Sequence, residues 1–332
     1  MKKSSFYLVE WGKCITFAPC YYQKHNLILL FYLTTMKKLK VFWAAMVLVA
    51  SGCESGRNEC VTTEDVTAPV TVSVSGFSVE QGDIAETRAT TVGEYNNLKA
   101  LTLAFYKSDG TQQFKATQYK NDASTYDTFG EFSTSLPIGH YTMVVMGCSS
   151  DNAAGNILLT GLYTAGYDDY VRETFSASQA VTVSNSSAQN LSITLNRIMA
   201  KVKIVSTDGR TADVHAIRTT FSGGSKGFNP TSGLATDNNG IVNTVVTNAI
   251  IGNTTTIGNG VFLASDEQTM DVTVETLDAD EHVLFSKTVT NVPLKRNRET
   301  TLTGAMYTVS GDASAGSFLL NSDWLEGNSM NF

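Results

Sequence analysis

Residues 191–205 read Leu-Ser-Ile-Thr-Leu-Asn-Arg-Ile-Met-Ala-Lys-Val-Lys-Ile-Val, with apolar side chains at every second position on either side of Asn196-Arg197. A period of two sends successive side chains to opposite faces, and a helix with about 3.6 residues per turn cannot do this. The stretch is therefore strand. Its fifteen residues exceed the usual strand length of about five or six. The chain is expected to leave one sandwich at Asn196-Arg197 and enter the next, which places a domain seam near Arg197.

The same alternation recurs along the chain. Val70, Val72 and Val74 alternate with Thr71, Ser73 and Ser75 just after Pro69, a residue that suits the start or edge of a strand because it cannot donate to a ladder. Apolar strands follow at 98–106, 132–136, 141–146, 181–183 and 191–195, and then at 215–221, 240–246, 260–263, 270–277 and 282–289. Asp109-Gly110 and the acidic 278–281 read as hairpin turns, and 137–140 as a further turn between strands. Residues 149–176 are less regular and are read as mostly loop, with room for a short helix near 157–162. No other segment has a helical period. With 26 glycines and only 5 prolines, the expected fold class is all-β.

The start of the chain has a different logic. Met36, Lys37, Lys38 and Lys40 precede an apolar run over 41–50 and then Ser51-Gly52-Cys53. Ten apolar residues fall short of the roughly 20 needed to span a bilayer, so 36–52 reads as an export signal. Ala50-Ser51-Gly52-Cys53 resembles a bacterial lipobox, which makes Cys53 the candidate lipid-bearing residue; a plain secretory signal is the competing reading. Residues 1–35, ahead of that signal, read as upstream sequence translated from a misplaced start. Residues 53–67 are a polar tether.

The whole chain carries a net charge of −7, and seven lysines and one glutamate lie before Cys53. Beyond residue 52 the balance is thus 17 basic to 30 acidic residues, or −13. Such a surface repels phosphate backbones, so no nucleic-acid partner is expected. Of the cysteines beyond the signal, Cys53, Cys60 and Cys148, one Cys60–Cys148 disulfide is conceivable in an oxidising compartment, while Cys148 in an apolar strand reads better as a buried thiol.

Residues bearing chemistry are few. Gly223-Gly224-Ser225-Lys226-Gly227 matches a nucleophile-elbow pattern but lacks the helix that should follow Ser225. His140, His215 and His282 are too scattered for a zinc site. Asp237-Asn238-Asn239-Gly240 and Asp278-Ala279-Asp280-Glu281 lack the ligand spacing of a calcium loop and read as solvated turns. Asp168 and Asp169 with Tyr163, Tyr167 and Tyr170 could present a sugar-binding surface or pack on their own sandwich. No enzyme, cofactor or metal is expected.

Three stretches carry a family resemblance: Glu86-Thr87-Arg88-Ala89, the seam 195–202, and the late run Asn291-Val292-Pro293-Leu294-Lys295-Arg296-Asn297-Arg298-Glu299-Thr300-Thr301-Leu302-Thr303-Gly304. With the lipobox leader, they resemble the fimbrillin family of Bacteroides-type bacteria. The resemblance implies two tandem transthyretin-like β-sandwiches, 68–197 and 198–332, and a lipid-anchored precursor of a surface fimbria (pilus) or adhesin at the outer membrane. It implies cleavage between Arg88 and Ala89, loss of the strand over 70–79, and filling of the groove by a strand from another subunit. Residues 317–324 are then either a donor strand or the closing strand of their own sandwich. The implied partners are other fimbrial subunits, the outer membrane through Cys53, and a surface receptor. A lipid-anchored glycan-binding protein is the alternative.

Overall fold

The computed structural model describes residues 66–77, 91–150, 158–307 and 319–321. All regular elements among them are strands, as expected, and no helix there is long and apolar enough to cross a membrane. In chain order they are β1 (Thr67–Phe77), β2 (Ala100–Lys107), β3 (Gln112–Tyr119), β4 (Glu131–Pro137), β5 (Gly139–Cys148), β6 (Leu158–Gly161), β7 (Thr164–Gly166), β8 (Thr174–Val183) and β9 (Gln189–Arg197). Then come β10 (Ala200–Ser206), β11 (Ala216–Phe221), β12 (Gly227–Phe228), β13 (Ile241–Val246), β14 (Thr256–Val261), β15 (Glu267–Leu277), β16 (Val283–Lys295), β17 (Glu299–Gly304) and β18 (Leu319–Asn321).

The first sheet runs β3-β2-β5-β8-β9-β1-β4, but β8 meets β9 through only Phe175↔Arg197 and Ser176↔Asn196. At that corner the sheet folds over, so β4-β1-β9 covers β3-β2-β5-β8. Between the two layers lies a core that includes Val70, Val72, Phe132, Ile193 and Leu195 from one side and Leu101, Phe105, Met143, Val145 and Phe175 from the other. Burying these apolar faces is what drives the two layers together.

A second pair of sheets, β14-β10-β17-β18 and β13-β11-β15-β16, encloses Val202, Ile204, Ile217, Phe221, Val272, Val274 and Leu302. Its strand order repeats the first. β10 lies between antiparallel β14 and parallel β17, as β1 lies between antiparallel β4 and parallel β9. β11, β13, β15 and β16 take the places of β2, β3, β5 and β8. The alternating stretch at 191–205 accordingly divides into β9 of the first sheet pair and β10 of the second.

A third apolar cluster joins the two. Tyr106, Val144 and Met146, on the outer face of β2 and β5, meet Leu162, Ala165, Tyr167, Met199, Phe228 and Phe262. The small sheet β12-β7-β6 is built from both halves of the chain. This corrects the expectation of loop or short helix near 157–162, since among the described residues there 158–161 are strand. Leu158–Gly161 is a strand of a small hairpin with β7, and β12 completes its sheet by pairing Phe228 with Ala165. A partner from across the molecule supplies the ladder that local sequence did not announce.

The turns are of two kinds. At β2–β3, Gly110 takes φ 82° and Asp109 Oδ1 accepts from Thr111 N at 2.8 Å, the local bonding that Asp-Gly favours. The turn at 137–140 is no hairpin: β4 pairs with β1, whereas β5 pairs with β2 and β8. It carries the chain from one layer to the other, tied by Tyr141 Oη donating to Pro137 O at 2.8 Å.

Candidate functional site

β1 is the middle strand of its layer, between β4 and β9. Its even-numbered residues Ala68, Val70, Val72 and Val74 are buried at 0–6% exposure, while the odd-numbered ones face outward or are half-covered. The β9 ladder begins only at Val70, so Pro69 sits where β4 is the sole neighbour, which accommodates its missing N–H. After Val74 the register with β9 shifts. Ser75 bulges, with Oγ donating to Ile193 O at 3.2 Å, and Gly76 adopts φ 152°, a conformation closed to residues with a Cβ. Beyond the bulge, Phe77 packs on Tyr95 and Phe175, with ring centroids 5.1 and 4.5 Å away.

Those two rings lead to the seam. Arg197, whose side chain is only 9% exposed, lies over Phe175 at 5.1 Å. It donates to Glu173 Oε1 at 2.9 Å, to Tyr95 Oη at 3.2 Å and to Asn297 Oδ1 at 2.8 Å. Tyr95 Oη in turn donates to Glu173 at 2.7 Å. Burial, reinforced by that carboxylate, raises the Tyr95 phenol above its ordinary pKa. Asn297 is presented by the β16–β17 turn at φ 61°, and its N–H donates to Met199 O at 2.9 Å. The two motif stretches at 195–202 and 291–304 therefore meet at one buried hydrogen-bonded cluster. A polar groove of about 730 Å³ runs beside it between β8 and β9, lined by Ser178, Thr194, Asn196 and Arg296.

The first sheet pair is closed on its β3–β4 side by one side chain. Gln118, 5% exposed, donates through Nε2 to Glu131 O at 2.6 Å and accepts from Gly130 N at 2.8 Å. Gly130 O accepts from Val74 N at 2.9 Å, so this link reaches β1. Nothing in the sequence pattern singled out Gln118, because its role depends on two strands that are not consecutive partners.

The remaining sequence candidates scatter. Cys53, Cys60, Arg88 and Ala89 lie outside the described residues. Ser225 is buried and structural: its Oγ donates to Asp237 Oδ2 and accepts from Gly227 N, both at 2.9 Å. Its flanks are a bridge to Phe262 and the short β12, with no helix to form an elbow. Cys148 is a buried thiol, its Sγ donating to Ser150 O at 3.7 Å.

His140 contacts Thr182 at 3.0 Å. Asp278, Asp280 and His282 cluster at a hairpin tip, where Asp278 Oδ1 accepts the N–H groups of Asp280 and His282 and is held below the usual carboxylate range chiefly by the latter. Of the tyrosines near Asp169, Tyr167 is buried, stacked 6.2 Å from Phe262, while Tyr163 and Tyr170 are exposed. Arg172 lies 4.0 Å over Tyr170 and holds Asp169 through two 2.7 Å bonds, lowering its pKa to about 2.

A family profile described as "Family of unknown function (DUF6562)" matches residues 62–317. No curated protein matches the sequence. Among solved structures, a candidate adhesin from Bacteroides ovatus is similar at 12% identity and a TM-score of 0.48, covering 78% of this chain and 93% of that one. The fimbrial anchor protein Mfa2 from Porphyromonas gingivalis is similar at 12% identity and a TM-score of 0.44, over 76% and 95%. A fimbrial assembly protein from Parabacteroides distasonis is similar at 11% identity and a TM-score of 0.35, over 76% and 94%.

Proposed function

The chain belongs to the family of unknown function DUF6562, and from that premise we propose that it is an exported, non-enzymatic subunit of a surface fimbria or related adhesive structure. In this reading it is delivered as a lipoprotein through Cys53 and assembled by strand exchange at the β1 seat. Each sheet pair is one sandwich domain, with the boundary near Arg197.

One observation carries the reading. β1 is central in its layer, yet residues 78–90 are its sole covalent route to the rest of the sandwich. A cut between Arg88 and Ala89 would leave β1, with everything ahead of it including Cys53, held by non-covalent contacts alone. Its departure would bare one edge of β4, one edge of β9 and an apolar slot the width of three valines. An extended strand from another subunit satisfies the ladders and the slot together. β18 pairs with Thr301–Thr303 of its own β17, so in this structure that part of 317–324 closes its own sheet.

Treatment with an Arg-specific protease tests the reading. Intact mass should fall to that of a chain beginning at Ala89, followed by oligomer ladders that resist mild detergent. Arg88→Ala should abolish both. A chain that keeps its mass, stays monomeric and is retarded on a polysaccharide gel would instead establish the glycan-binding alternative.

A further inference from the structure

The outer strands of the sheets are guarded unequally. An unpaired strand edge is a template for another chain, and proteins ordinarily blunt it with lysine, proline or bulges. β16 carries Lys287, Pro293 and Lys295 and shifts register twice against β15. β3 carries Lys115, and β4 carries Glu131 and ends in Pro137. β13 has none of these devices. It runs in unbroken register with β11, its one ladder neighbour among the described residues. From residue 238 to 265 the chain has no ionisable side chain, although the protein as a whole is acidic.

β13 is also greasy on the outside. Val242, Val245 and Val246 are 49, 41 and 55% exposed, and Ile250 and Ile251 in the following loop are 73 and 59% exposed. That loop is built to hold its position. Arg210 donates through Nη1 to Ala249 O at 2.8 Å and through Nη2 to Val214 O. Gly252 N donates to Arg210 O at 2.8 Å, and Asn253 N to Ile250 O at 3.0 Å. An isoleucine pair pinned outward and contiguous with a bare strand marks an interaction surface.

We propose that β13 and the Ile250–Ile251 loop form a lateral interface with a second copy of this chain, the two β13 strands pairing antiparallel about a two-fold axis at Thr244. Three features of the strand argue for a second copy. Residues on one face of a continuous sheet must oppose one another, so an axis at Thr244 sets Val242 against the partner copy's Val246 and Thr244 against itself. Both outer pairs are of types that favour strand pairing, β-branched against β-branched. The strand also bears no charge, so two acidic molecules can approach here without placing like charges opposite each other. Such a contact is isologous, closing at two copies. It involves neither β1 nor Arg88, and so it is independent of the strand exchange proposed above.

Register-specific disulfide trapping of the full chain tests this, with the unsubstituted chain and its five cysteines as background. Thr244→Cys should give a covalent homodimer under mild oxidation, because directly opposed Cα atoms lie about 5 Å apart. Val242→Cys alone should stay at background, since its own copies are four residues out of register, whereas a mixture of Val242→Cys with Val246→Cys should cross-link. Thr244→Lys, an exposed change that leaves the fold intact by circular dichroism, should make sedimentation purely monomeric. A Thr244→Cys yield no higher than that of Val242→Cys, or an unsubstituted chain that stays monomeric at every concentration, would overturn the proposal. Retention of both results in Arg88→Ala protein separates this interface from the exchange at β1.

Discussion

Arg197 Nη1 donates to Asn297 Oδ1 at 2.8 Å across a sequence separation of 100 residues. This bond ties the end of β9 to the β16–β17 turn, and the same guanidinium holds Glu173 and Tyr95 beside the ring that packs on Phe77 of β1. The seam and the β1 seat are thus one connected structure.

Truncation at this point should be costly. Arg197→Ala removes from a largely buried setting the guanidinium that Glu173, Tyr95 and Asn297 share, and unfolding free energy should fall by about 3 kcal/mol. Arg197→Lys should recover less than half of that loss, because one ammonium cannot reach three acceptors in a planar fork. Denaturant titration of the three proteins measures both effects.

Gln118→Ala should destabilise by about 2 kcal/mol through the loss of two buried backbone contacts. Since Gly130 also receives Val74 N–H, amide exchange at Val74 should quicken in this variant more than exchange at Val202 in the second sheet pair.

If β1 is held non-covalently after cleavage at Arg88, its residence should depend on its buried side chains. Val72→Ala removes two methyl groups from a fully buried site, worth about 2 kcal/mol. Release of the β1 peptide after proteolysis, followed by mass spectrometry, should speed up by about tenfold or more, whereas Thr71→Ala should change it little.

High pH should weaken the fold. Burial raises the phenols of Tyr95, Tyr106, Tyr167 and Tyr307 above 10, so the folded state favours their neutral form. A folded pKa raised above the unfolded one gives stability that is complete below about pH 10 and is lost as pH climbs through the folded value. Phenolate absorbance should show these four ionising only above the ordinary tyrosine range, and alkaline unfolding should release them together.

At the acid end, Asp169 should titrate at about 2 in carbon-detected NMR. Arg172→Ala should return it toward the ordinary carboxylate value. The sign is the reverse of the tyrosine case: a depressed pKa contributes above the unfolded value and is lost as pH falls toward 2. The pair is exposed on the Asp169 side (47%), so the effect on global stability should be small.

Residue by residue, what the chain announced was local. Period-two alternation at Val70–Val74 and across Leu191–Val205 declared strands and declared which faces are buried. Asp109-Gly110 declared a hairpin, whereas the break expected at Asn196-Arg197 falls two residues later, at Ile198-Met199, because Asn196 and Arg197 still pair with β8. These follow from side-chain direction and turn chemistry, which depend on neighbours a few positions away. Tertiary structure alone decided which strands are partners: β1 parallel to β9 and β10 parallel to β17, β4 and β5 adjacent in sequence yet in opposite layers, and β12 completing a sheet with β6 and β7. It also decided that Gln118 would bridge β3 to β4, that Arg197 would find Asn297, and that β13 would lie bare at an outer edge. Ladder hydrogen bonds are the same for every sequence, so pairing is chosen by which apolar faces can be buried together, and that is a property of the whole fold.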